Sequence, residues 1–236
     1  MDIFQIIINL GTLTLLEIIL GIDNLVFIAI VSNRVAETKQ KSARQIGLAL
    51  ALFGRFALLL MIMWIIKLSA PLFEVFSKSF SGRDIFMIAG GLFLLVKATW
   101  EIHEEFQPVE SLHFGKLKKH ISFMSAIIQI IIFDIIFSLD SILTAVGLTQ
   151  HLWIMMIAIT IAVIIMLIAS EPLSRFIKNN PSIKMLALSF LLLIGTVLVA
   201  DGFGYVIPKG YIYFAIFFSL FLEGLNTYRS RRARKK

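Results

Sequence analysis

The 236-residue sequence contains no cysteine, which excludes a disulfide scaffold and leaves no thiolate for a soft-metal centre. Charge is scarce too: 16% of residues are Asp, Glu, Lys or Arg, against about 25% in an ordinary soluble domain. Histidine is present only four times and never inside an apolar run, so no buried imidazole site is on offer. What fills the space is apolar. Hydrophobic residues make up 58% of the chain, 21 of them Phe, and the mean hydropathy is +0.91. Disorder is excluded by that composition, and solubility in water argued against. The opening Met1-Asp2-Ile3 carries no basic stretch and no small-residue cleavage site, so the first apolar run is expected to remain in the mature protein.

A spanning helix needs about 20 mostly apolar residues, and seven stretches approach that, at 4–31, 46–67, 84–99, 121–148, 152–170, 184–201 and 210–226. The expected fold is an all-α polytopic membrane protein of seven transmembrane helices. Its loop charges alternate. Arg34, Lys39, Lys41 and Arg44 follow the first span, Lys116, Lys118 and Lys119 the third, and Arg175, Lys178 and Lys184 the fifth, while Arg229, Arg231, Arg232, Arg234, Lys235 and Lys236 form the tail. On the other side stand Lys78, Arg83 and Lys209, apart from Lys67 at a helix end. The positive-inside rule then puts the N-terminus outside and the C-terminus in the cytoplasm. The net charge of +7 thus flanks membrane spans, and the basic tail reads as an anionic-lipid anchor, not a nucleic-acid site. The segment 100–120, with Glu101, His103, Glu104, Glu105, Glu110, His113 and His120, reads as a solvated cytoplasmic loop.

Spans one and four share a polar pattern that hydrophobicity does not demand. Glu17-Ile-Ile-Leu-Gly21-Ile-Asp23-Asn24 matches Asp134-Ile-Ile-Phe-Ser138-Leu-Asp140-Ser141 position for position, at a constant offset of 134 − 17 = 117. Fainter echoes link Leu68-Ser69-Ala70-Pro71-Leu72 to Ala169-Ser170-Glu171-Pro172-Leu173, and Met87-Ile-Ala89 to Met185-Leu-Ala187. The chain therefore divides into a three-helix repeat over 1–110, a second over 111–209, and a seventh helix with basic tail over 210–236. An odd number of crossings per repeat inverts the second relative to the first, an architecture common among transporters that bind substrate near the midplane.

Carboxylates at membrane depth cost at least a few kcal/mol, so Glu17, Asp23, Asp134 and Asp140 are expected to face a protein interior. Glu17 and Asn24 share a helix face, as do Asp134 and Ser141, whereas Asp23 and Asp140 sit roughly 120° round from the first acids. A local unwinding near Gly21 and Ser138 would bring all of them to one cavity, and breaks within 19–25 and 136–142 are expected on that ground. Four acids against Arg55 and Lys97 leave −4 + 2, about −2, which suits one divalent cation. The donors are all oxygen, favouring Mg²⁺, Mn²⁺ or Ca²⁺ over Zn²⁺ or Cu⁺. Two readings stay open here: a metal site, or acids paired with Arg55 and Lys97 to lock the helices. Arg55 and Lys97 themselves read as charge-balancing or gating residues. Glu223 and Asn226, one turn apart on the last span, read either as a gate or as a helix cap.

The strings around Glu17–Asn24, Gly90-Gly91…Lys97…Glu101-Ile-His103-Glu104, and Asp134–Ser141 resemble those of the TerC family of bacterial integral membrane proteins, along nearly the whole chain, and the likeness is close to its short, single-domain members. That resemblance implies a seven-helix transporter related to the lysine-exporter superfamily. Among its members are proteins associated with manganese export, metal tolerance and metalation of secreted enzymes. By position, metal binding falls on Glu17, Asp23, Asn24, Asp134, Asp140 and Ser141, with Lys97 nearby. The expected function is alternating-access efflux of a divalent cation, Mn²⁺ first, across the bacterial inner membrane. The cation is substrate, no prosthetic group is expected, and inward protons are candidates for coupling. Two alternatives compete: a non-transporting scaffold for metalation or secretion, and an intramembrane aspartyl protease pairing Asp23 with Asp140. Against the protease, Gly21-Ile22-Asp23 lacks the second glycine of a Gly-x-Gly-Asp element and no Pro-Ala-Leu string occurs. A non-enzyme is therefore expected, with no catalytic residues.

Overall fold

Long apolar runs in a chain with 5 Pro leave the backbone little choice but helix, since in lipid every N–H and C=O must be satisfied within the segment. The structure, a computed structural model, describes residues 3–61, 71–75, 78–106, 120–149, 151–205 and 207–233. Seven helices and one strand pair make up the described chain: α1 (Ile3–Asn33), α2 (Glu37–Leu60), β1 (Pro71–Val75), β2 (Lys78–Ser81), α3 (Gly82–Glu105), α4 (Phe123–Leu148), α5 (Leu152–Asn179), α6 (Pro181–Gly202) and α7 (Lys209–Ala233). Six of the helices, α1 to α6, are long and apolar enough to cross a membrane, and α7 carries a shorter apolar stretch, Gly210–Asn226. The all-α polytopic expectation holds.

Several boundaries move. Helix α2 starts at Glu37, nine residues before its apolar run, because one face is already apolar there: Ala43, Gly47, Leu48, Ala51 and Leu59 are buried. Helix α5 runs on through Pro172 to Asn179. Helix α3 carries Glu101, His103, Glu104 and Glu105 in its last turns, so that part of the expected loop is helical, while Glu110 and His113 lie outside the described residues. The antiparallel pair β1–β2, with Phe73 opposite Phe80 and a register shift between Pro71 and Phe73, was not expected from the sequence.

The described chain falls into two compact units. The first comprises Met1–Arg83 and Lys116–Phe176, hence α1, α2, the strand pair, α4 and most of α5. Its core is built where α4 packs on α1 and α2, around Leu13, Ile28, Leu48, Leu59, Ile130, Phe133 and Ile142. Lipid offers no hydrophobic drive to such packing, so close approach matters more than apolarity. Gly47 serves that end, since a Cβ there would come within 2.9 Å of the Ile130 side chain. Helix α4 is capped by the Ser122 hydroxyl, which accepts from the Ser125 amide at 3.1 Å.

The second unit comprises Asp84–Gly115 and Ile177–Lys236, with α3, α6 and α7. Helices α3 and α6 touch backbone to backbone: a Cβ at Gly91 would stand 2.6 Å from the Gly195 carbonyl oxygen. Helix α6 ends as its geometry demands. Gly204 takes φ 77°, and the Gly204 and Tyr205 amides close back on the carbonyls of Asp201 and Ala200 at 2.7 and 2.9 Å. In both units the outward side chains are greasy: Ile3, Phe4, Ile7, Val96, Ile168, Phe214 and Phe217 are all more than 60% exposed, as a lipid-facing surface requires.

Candidate cation site

Helix α1 buries Glu17, Gly21, Asn24 and Ile28, and α4 buries Asp134, Ser138, Ser141 and Ala145. Each set steps by four, three and four residues, one side of a helix, and the two sets carry the repeated motif. Glu17 and Asp134 stand near the midpoints of their helices, and α1 packs on α4, so both acids sit deep inside the first unit. Glu17 is 1% exposed and Asp134 2%.

Between them lies Arg55 of α2, also 2% exposed. Its Nη1 donates to Glu17 Oε2 at 2.7 Å. Its Nε donates to Asp134 Oδ2 at 2.9 Å and its Nη2 to Asp134 Oδ1 at 2.6 Å, a two-pronged contact. Asn24 Nδ2 donates to Asp134 Oδ1 at 3.4 Å, and the Ser138 hydroxyl approaches Oδ2 at 3.3 Å. The Ser141 hydroxyl faces the Glu17 carboxylate while donating to the Ser138 carbonyl at 3.2 Å. Phe27 and Phe133, both buried and the latter next in sequence to Asp134, stack on one another.

The expected helix breaks are absent. Both α1 and α4 run unbroken through 19–25 and 136–142. Gly21 serves packing instead of unwinding, because a Cβ there would meet Met166 Sδ of α5 at 2.7 Å. Ser138 turns its hydroxyl back onto the Asp134 carbonyl four residues earlier, which leaves the helix intact.

The sequence-expected residues are thus only partly gathered. Glu17, Asn24, Asp134 and Ser141 come together around Arg55, whereas Asp23 is half-buried on the adjoining face of α1. The Asp140 side chain lies outside the described residues. Lys97 belongs to the second unit, half-buried, with its Nζ 5.8 Å from the Trp100 ring and 6.0 Å from the Phe93 ring. Glu223 is half-buried and Asn226 exposed on α7. Among the described residues no three acidic or imidazole groups converge as metal ligands.

Two features escaped sequence reading. Arg44, grouped there with the loop charges, is 3% exposed. It donates to Ser174 Oγ at 3.0 Å and pairs with Glu171 of α5, while the Asn33 side chain exchanges hydrogen bonds with Ser174, at 3.2 Å to its carbonyl and 2.7 Å from its hydroxyl. The signal was available: Arg44 falls on the same stripe of α2 as Leu48, Ala51 and Arg55. The other is Thr14, whose Oγ1 is buried one turn before Glu17. Among the described residues Thr14 Oγ1, Glu17 Oε1 and Asn24 Oδ1 are buried oxygens with no hydrogen-bond partner, and all three project from one side of α1.

A polytopic helical membrane protein with a buried acid–guanidinium–acid cluster on duplicated helix motifs is the class that fold and site define. Residues 4–236 match the description "Integral membrane protein TerC family", and the chain belongs to that family. It is 49% identical over 223 residues to the UPF0053 inner membrane protein YgdQ of Escherichia coli (strain K12), covering 94% of this chain and 93% of that one. A UPF0053 protein of Haemophilus influenzae is 47% identical over 228 residues, covering 97% and 95%. The UPF0053 inner membrane protein YoaE of Escherichia coli (strain K12) is 50% identical over 218 residues, 92% of this chain but 42% of that longer protein. No solved structure matches.

Proposed function

We propose that this protein exports a divalent cation, Mn²⁺ first among the candidates, across the bacterial inner membrane by alternating access. The observation that carries the reading is the meeting of the two motif copies at membrane depth: Glu17 with Asn24 and Asp134 with Ser141, an all-oxygen set suited to a hard or borderline divalent ion. Intramembrane carboxylates held away from lipid mark ion pathways more often than packing devices. In this reading Asp23 and Asp140 complete the ligand set as the site opens, and protons exchange against metal on the same carboxylates. The substrate is the metal, and no prosthetic group takes part.

The inverted-repeat relation belongs to the same proposal. The first unit gathers α1 and α2 with their repeat counterparts α4 and α5, and the second gathers α3 with α6, an arrangement that supports two pseudo-symmetric triplets over 1–110 and 111–209. The charge alternation supports an outside N-terminus and a cytoplasmic C-terminus. Proteoliposomes loaded with a Mn²⁺-sensitive dye test the function. Wild type should carry Mn²⁺, and Asp23→Asn and Asp140→Asn, which change charge with little change in volume, should abolish the flux at normal expression. Normal flux through both variants removes those acids from the mechanism, and no flux of any divalent ion through wild type removes the transporter.

A further inference from the structure

The three donors of Arg55 fill the space that a cation would need between Glu17 and Asp134, and nothing in an export reaction obliges a protein to keep a guanidinium there. Burying that group is costly unless every contact is good. Contacts with Asp134 are good, but Glu17 Oε1, Asn24 Oδ1 and Thr14 Oγ1 remain without partners. A cluster that serves only to lock three helices gains by supplying donors to such acceptors, since each buried oxygen without a donor costs stability. Unfilled oxygens of this kind are what a dehydrated cation takes up.

Resting on the exporter reading above, we infer that Arg55 is the resident counter-cation of the site, displaced by the transported ion, and that this exchange makes the site select divalent over monovalent cations. Charge arithmetic gives the selectivity. Glu17 and Asp134 carry −2, and Arg55 brings the cluster to −1. A divalent ion that displaces the guanidinium brings the two carboxylates to zero and can take Glu17 Oε1 and the Asn24 and Thr14 oxygens as additional ligands. A monovalent ion leaves the same −1 and forfeits the two-pronged Asp134 contact, so it gains nothing by the exchange. Thr14, one turn from Glu17 on the same side of α1, is the next oxygen along the helix and becomes part of the ion's path. When the ion leaves, Arg55 returns and reseals the cluster.

The test is Mn²⁺ binding to the full chain in nanodiscs, measured calorimetrically and by loss of the free-ion paramagnetic signal, in wild type, Arg55→Gln and Arg55→Lys. Removing the competitor should tighten Mn²⁺ binding by about tenfold or more in Arg55→Gln, make binding sensitive to Na⁺, and stop flux because release is no longer driven. Free guanidinium should compete with Mn²⁺ in Arg55→Gln and return its apparent affinity toward the wild-type value, which a merely structural arginine does not predict. Arg55→Lys keeps a cation but loses the fork, so it should bind more tightly than wild type by a smaller factor; it carries the test if Arg55→Gln does not fold. Unchanged or weaker Mn²⁺ binding in a folded variant, with wild-type flux intact, overturns the counter-cation and leaves the exporter standing. No binding and no flux in wild type overturns the exporter and this inference together.

Discussion

Replacing Arg55 with Met isolates what the cluster contributes to stability. The substitution removes Nε, Nη1 and Nη2 and leaves Glu17 and Asp134, 1% and 2% exposed, facing each other without a cation. Breaking a buried pair by removing one partner costs roughly 3–5 kcal/mol. Glu17→Gln should cost less, about 1–2 kcal/mol, because the amide oxygen still accepts from Nη1 and the stronger fork on Asp134 is untouched. Asp134→Asn should fall between the two, since one carboxamide oxygen cannot receive both prongs. The triple variant Glu17→Gln, Asp134→Asn, Arg55→Met carries no charge at the site and should recover most of the loss, to within about 2 kcal/mol of wild type, as buried ion clusters replaced by neutral side chains often do. Titration with SDS in mixed micelles, followed by far-ultraviolet circular dichroism, gives the free energies. A triple variant no more stable than Arg55→Met, or Glu17→Gln costing more than Arg55→Met, refutes the geometry on which the site rests.

Two further outcomes follow from packing and burial. Gly91→Ala should lose about 1–3 kcal/mol in the same titration, because its Cβ would meet the Gly195 carbonyl and the Val199 amide, which are backbone and cannot yield; Gly54→Ala, with nothing within 4 Å, should instead gain up to about 1 kcal/mol from helix propensity. Equal stabilities would dismiss the backbone contact of α3 with α6. Arg44→Met should cost about 1–2 kcal/mol, clearly less than Arg55→Met, since Glu171 is 35% exposed and keeps Arg175 at 2.8 Å, whereas Glu17 and Asp134 have no water to turn to. A loss as large as that of Arg55→Met would mean that hydration does not separate the two arginines.

The spans were legible because twenty consecutive apolar residues admit one reading in lipid, and the pairing of the Glu17 and Asp134 helices was legible because polar identities recurred at a fixed offset. The failures share one cause, that a residue's neighbours in space are invisible along the chain. Gly21 suggests a point of unwinding in the sequence, but the deciding fact is Met166, 145 positions later, filling the room a side chain would take. Ser138 suggests the same, though a serine inside a helix has a carbonyl of its own helix within reach. Arg44 groups with the loop charges in sequence because it lies near Lys39 and Lys41, while its partners Ser174 and Glu171 come from about 130 positions further along the chain. The two alternatives for the acids, metal or arginine, could not be separated by counting charges, because the count is the same until one knows that a single guanidinium spans both carboxylates.

The stripe of α2 that holds Arg44 and Arg55 has a mechanical corollary. The two side chains are 11 residues apart, three turns and about 16 Å, and they are anchored in different acids, Arg44 in Glu171 and Arg55 in Glu17 and Asp134. Rolling this helix by even a quarter revolution would turn both guanidiniums away from their acids at once, and sliding it by one turn, about 5 Å, would put all three carboxylates out of register. Helix α2 is therefore a strut, pinned at two heights, and α1, α4 and α5 are tied to one another through it.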